Sequence, residues 1–146
     1  MNTDIGLKLT KVIEANPQKV FNAWLDENLM KQFMVPAGGI KITEVEIDPK
    51  VGGYLGIMMN ANGYEMPHSG MYKVLEKYRK LSFTWISSFV QVNTLVTLSF
   101  EAITAGPSQQ HTRLTIEHVG FLNDQNKTDH QFGWITIIEN LTRVLS

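Results

Sequence analysis

Residues 130–145 read HQFGWITIIENLTRVL, and this stretch decides the fold. Trp134, Ile137, Ile138, Leu141, Val144 and Leu145 fall at i, i+3, i+4, i+7, i+10 and i+11. At roughly 100° per residue they make one apolar stripe along an α-helix. Phe132 and Ile135 are expected to widen that stripe. Thr128 followed by Gln131 fits a capping box at its start, although a start one turn earlier also suits the pattern. His130 lies four residues before Trp134, so it projects onto the buried stripe. Gly133 needs a reason, because glycine in a helix interior costs about 1 kcal/mol relative to alanine. Either the backbone approaches a sheet closely, or the missing side chain leaves space beside Trp134.

The chain before this helix is mostly strand and turn. Residues 5–15 are rich in branched side chains and read as a strand. Asn16 is a good N-cap and Pro17 suits a first helical position, so a short helix carries Val20, Phe21 and Trp24. Asp26 can cap a second short helix with Leu29, Met30 and Phe33, which "VPAGG" ends. Six strands follow, expected at 40–48, 54–60, 69–76, 81–87, 94–102 and 112–118, with "TAGPSQQ" as a loop. In the last two, alternation places Val96, Leu98 and Phe100 on one face, and Leu114, Ile116 and His118 on another. Short strands joined by tight turns predict an antiparallel sheet, and one apolar helix facing it makes a two-layer α+β domain.

The chain has 146 residues, enough for a single domain with a real core. Apolar residues are 43% and charged residues 18%, the balance of a folded globular protein. A net charge of −1 offers nothing to a polyanion, which argues against a nucleic-acid partner. The absence of cysteine removes disulfides, thiolate metal sites and cysteine nucleophiles. No segment approaches the ~20 apolar residues of a membrane-spanning helix, and no signal peptide is visible, so membrane insertion is not expected and a cytoplasmic location is.

Six segments appear in a telling order: "VIEANPQKVFNAWLDENLMKQF", "DPKVGG", "SGMYKVLEKYRKLSFTW", "VTLSFEA", "TRLTIEHVGF", and "HQFGW" before the leucine-spaced helix. In these the chain resembles the START-like superfamily, also called SRPBCC or birch-allergen-like. Within it the chain is most similar to the branch named after the C-terminal domain of the activator of the ninety-kilodalton heat-shock chaperone's ATPase. The resemblance implies a helix-grip fold. A curved seven-stranded antiparallel sheet would clasp the long C-terminal helix, with two short helices after the first strand and often a cavity between. Relatives commonly carry a tryptophan soon after the second short helix begins. Here "KQFMVP" stands instead, with Phe33 in its place at the expected cavity mouth.

In such a fold His118 and His130, separated by eleven residues, line one end of the cavity. There they would orient a polar ligand head or, more simply, be satisfied core imidazoles. They lack an evident third ligand, so no metal is expected, and no cofactor is implied. His68, after "EMP", is read as exposed. The remaining cavity candidates are Trp134, Ile138 and Leu141 on the helix, and Trp85, Phe100, Met58, Met71 and Tyr72 on the sheet. Tryptophan and methionine suit apolar ligands as well as cores. Glu44, Glu46 and Asp48 alternate like a solvated face. No serine sits in a nucleophile-elbow pattern and no glycine run has a phosphate-loop context, so no catalytic motif is visible.

Three functions follow as expectations. The first is binding of a small hydrophobic or amphipathic ligand, including lipids, in the cavity. The second is the resemblance's own implication, a co-chaperone or stress-related contact with a heat-shock chaperone. There, the lack of room for the activator's separate N-terminal domain argues against full activator function. The third is a cyclase or aromatase of the kind that works on polyketides with the same fold. Exposed sheet edges leave a monomer or a homodimer open.

Overall fold

The computed structural model describes residues 5–87 and 92–146. The chain runs β1 (Gly6–Ile13), α1 (Pro17–Ala23), α2 (Glu27–Phe33), β2 (Ile40–Ile47), β3 (Tyr54–Ala61), β4 (Tyr64–Glu76), β5 (Lys80–Ser87), β6 (Thr94–Gly106), β7 (Gln109–Val119) and α3 (Asp124–Val144). The seven strands form an antiparallel sheet in the order β1-β7-β6-β5-β4-β3-β2. This is the expected α+β helix-grip fold, a curled sheet around a C-terminal helix. β1 and β2 hold the two edges, and the short helices bridge them in sequence.

Local chemistry sets the helix starts. The Asn16 side chain accepts from the Lys19 N–H at 2.8 Å, with Pro17 in the first turn. The Asp26 carboxylate accepts from the Leu29 N–H at 3.0 Å. Each satisfies a donor that has no partner inside the helix. α3 starts one turn before Thr128, because Asn123 caps it by accepting from the Asn126 N–H at 2.9 Å.

Three strand boundaries differ most from the sequence reading. β4 begins at Tyr64 and not at Ser69. The "TAGPSQQ" loop is largely strand, leaving Pro107 and Ser108 as the turn between β6 and β7. Register shifts at Ile42/Glu44, Tyr72/Val74 and Thr104/Gly106 bend the sheet. Gly70 permits a tight approach of β4 to β5: a Cβ there would meet the Thr84 carbonyl oxygen at 1.8 Å.

The concave face follows the pleat. Leu55, Ile57 and Met59 on β3, Tyr72 on β4, and Phe83 and Trp85 on β5 are buried. So are Val96, Leu98 and Phe100 on β6, and Leu114, Ile116 and His118 on β7. Against them α3 lays Trp134, Ile137, Ile138, Leu141 and the adjoining Leu145. Phe132 and Ile135 do not widen this stripe; they are 68% and 40% exposed. Helical geometry explains the correction: at 100° per residue, Ile135 stands roughly 100° from Trp134, and Phe132 roughly 160°. Asn140 is buried in the stripe because its side-chain amide donates to the carbonyls of Phe33 (3.3 Å) and Val35 (3.0 Å). It thereby ties α3 to the unsatisfied end of α2.

Candidate functional site

Near the N-terminal end of α3 the helix and sheet part. A pocket of about 150 Å³ opens there, between Gly133, Trp134 and Ile137 on one side and Met59, His68 and Trp85 on the other. Met34 and Pro36, just after α2, close a third side, and His130 and the exposed Asp129 border it. Gly133 contributes by having no side chain: a Cβ there would meet only Pro36 Cβ, at 3.3 Å. Of the two reasons considered for this glycine, the structure shows space beside Trp134 rather than a backbone pressed on the sheet.

Behind the pocket wall lies a closed hydrogen-bond relay. The Trp134 indole N–H donates to His118 Nδ1 at 3.0 Å. His118 Nδ1 is therefore an acceptor, and its proton sits on Nε2. Nε2 lies 2.7 Å from Thr94 Oγ1 and donates to it, while the Thr94 hydroxyl donates to the Trp85 carbonyl at 2.6 Å. His118 is 0% exposed, and its ring packs on Phe121 at 4.3 Å and edge-on to His130 at 5.0 Å. Burial, with His130 adding, holds its pKa well below the usual histidine value. His118 thus does not line the pocket but orients Trp134, which does.

The two histidines on the wall share a different tautomer. His130 Nδ1 lies 2.8 Å from the Asn126 carbonyl, and His68 Nδ1 lies 3.0 Å from the Met66 carbonyl. A carbonyl only accepts, so in both rings Nδ1 carries the proton and Nε2 keeps its lone pair. Burial lowers both pKa values; in each case the carbonyl bond opposes this, and His130 lowers that of His68 further. His68 also stacks on Trp85, with ring centroids 5.1 Å apart. It is half-buried, not exposed as its sequence context suggests.

The other candidates are dispersed. Ile138 and Leu141 belong to the core farther along α3. Phe100 packs on Phe21 at 5.2 Å under α1. Met58 and Met71 point to the convex face, where Met71 is 44% exposed, because they alternate with the buried Met59 and Tyr72. Tyr72 is buried and its hydroxyl has no partner among the described residues; burial and then the Glu27 carboxylate push its pKa far above the usual value. Phe33 is buried against Trp24 at 4.9 Å, and Met34 and Pro36 form the pocket edge in its stead. No group of three or more His, Asp or Glu side chains among the described residues can hold a metal. No helix among them is long and apolar enough to cross a membrane.

Comparison with known proteins agrees with this architecture. Protein CV1439 from Chromobacterium violaceum superposes with a TM-score of 0.85 at 21% identity, covering 96% of each chain. Protein NE0264 from Nitrosomonas europaea gives 0.80 at 20%, covering 97% of this chain and 94% of that one. An AHSA1-like protein from Aeromonas hydrophila gives 0.71 at 20%, covering 95% and 92%. At these identities the likeness establishes the fold. No curated protein sequence matches the chain significantly. The sequence pattern of one family does match, over residues 14–146. The chain belongs to the family described as Activator of Hsp90 ATPase homolog 1-like protein.

Proposed function

We propose that this protein binds a small apolar ligand in the pocket under Trp134. The observation that carries the reading is a space of about 150 Å³ walled by Met34, Met59, Trp85, Trp134 and Ile137, with His68, His130 and Asp129 as its ionisable side chains among the described residues. Apolar walls with a few placed polar groups are the usual build of a small-molecule site. The volume suits one ring: an apolar cavity of ~150 Å³ takes up benzene or xenon. A long acyl chain would lie mostly outside it. A ligand burying ~150 Å² of apolar surface gains roughly 4 kcal/mol, a dissociation constant near 1 mM. Crystals pressurised with xenon test this directly. Xenon against the Trp134 ring supports the reading, and a pocket that stays empty of xenon removes it.

The family match favours a second reading, contact with a chaperone ATPase of the Hsp90 type. Adding the purified protein to that chaperone and measuring ATP turnover decides it. An unchanged rate, with no complex on a sizing column, rules it out.

A further inference from the structure

We infer that the pocket selects a ring-sized ligand that offers a hydrogen-bond donor, a phenol rather than an arene ether or an aromatic carboxylate. This rests on the ligand-binding reading above and specifies its substrate class. The argument is one of tautomers. His68 and His130 have each committed Nδ1–H to a backbone carbonyl, those of Met66 and Asn126. What remains on each imidazole is Nε2 as a bare acceptor. The third polar side chain on the wall is the Asp129 carboxylate, which accepts from Gln125 Nε2 at 3.0 Å and only accepts. The Trp134 indole N–H is already spent on His118. The ionisable groups of the wall are therefore all acceptors at neutral pH and no lysine or arginine lines it among the described residues, which leaves the Trp85 indole N–H as the side-chain donor there.

A phenolic hydroxyl entering this space keeps a hydrogen bond after leaving water, and its ring meets Trp85, Trp134 and Met59. An ether oxygen of the same shape meets lone pairs at all three of these groups and keeps a bond only where it reaches the Trp85 indole N–H, so it loses the partners that a hydroxyl gains. A carboxylate fares worse, since it brings a negative charge to Asp129 and two neutral acceptors. Sites built to bond a hydroxyl discriminate strongly against analogues lacking one, because the buried partner is left unpaired.

The test is a binding series at pH 7.5 with p-cresol, toluene, 4-methylanisole and p-toluate, read by the shift of the Trp134 indole N–H. p-Cresol is expected to bind about tenfold tighter than toluene, 4-methylanisole no tighter than toluene, and p-toluate weakest. In His130→Phe and His68→Phe variants the margin of p-cresol over toluene shrinks while toluene binding persists. Equal affinities for p-cresol, toluene and 4-methylanisole would overturn the donor preference and leave the pocket reading standing. So would tightest binding by p-toluate. Failure of all four to bind would instead overturn the ligand-binding reading itself. The wild-type series alone suffices should either variant fold poorly.

Discussion

Trp134 donates its indole N–H to His118 Nδ1 across 3.0 Å, and this bond fixes which nitrogen of a fully buried histidine carries the proton. It also fixes the indole plane that forms one wall of the pocket. The relay continues through Thr94, whose hydroxyl accepts from His118 and donates to the Trp85 carbonyl. Thr94→Val keeps the shape and orphans two buried polar groups, so it is expected to cost about 2–4 kcal/mol. Thr94→Ser retains the hydroxyl and should cost about 1 kcal/mol. Urea unfolding compares them, and equal losses would show that the hydroxyl bonds contribute nothing. Ring ¹⁵N shifts should show His118 protonated on Nε2, and His68 and His130 on Nδ1.

Tyr72 presents the opposite case. Its hydroxyl is buried without a partner among the described residues. A polar group taken from water and left unbonded costs about 1–3 kcal/mol. Tyr72→Phe keeps the ring on Phe83 and removes that penalty, so a stability gain of about 1 kcal/mol is expected. A loss of similar size would mean that the hydroxyl finds a partner.

Stability should fall in mild acid. His68, His118 and His130 all have folded-state pKa values below 6.5, burial being the largest cause in each. Below that pH the unfolded chain binds protons that the folded chain refuses, which favours unfolding. The full stability is present above pH 6.5 and declines as pH drops through it, by at most about 1.4 kcal/mol per pH unit for each histidine. Thermal unfolding between pH 7.5 and 5 measures this, and His130→Phe should flatten the slope. A melting temperature that rises on acidification would contradict the assignment.

Gly133 links stability to binding. Alanine there gains up to about 1 kcal/mol of helix propensity, and its Cβ at 3.3 Å from the half-buried Pro36 Cβ requires that proline to give by a few tenths of an ångström. Gly133→Ala is expected to melt higher and to bind small arenes more weakly. Unchanged binding would move the ligand away from this helix face.

The fold was legible because its signals are periodic. The stripe from Trp134 to Leu145 and the alternation of Val96, Leu98 and Phe100 name a buried face without any knowledge of the partner. The site was legible only in part. Trp134 and Trp85 line the pocket and His130 borders it. His68 was missed through one boundary: once β4 is begun at Ser69, the histidine falls in a loop. Started at Tyr64, the same pleat puts His68 on the inner face with Tyr72. The same parity turns Met58 and Met71 outward, so naming both Met71 and Tyr72 as lining residues conflicted with the alternation itself. Met34 and Pro36 carry no periodic signal, because they follow a helix end and reach the pocket through the placement of α2 against α3. Asn140 has no local signal either, because its role depends on two carbonyls more than a hundred residues away.

The most direct measurement is a ¹H–¹⁵N spectrum recorded during titration with toluene. A ligand seated between α3 and the sheet should shift the Trp134 indole N–H saturably, with half-saturation near 1 mM. The backbone amides of Ser108 and Gln109, at the turn at the far end of β6, line no part of the pocket and should stay in place. A Trp134 resonance that does not move up to the solubility limit of toluene would contradict the account.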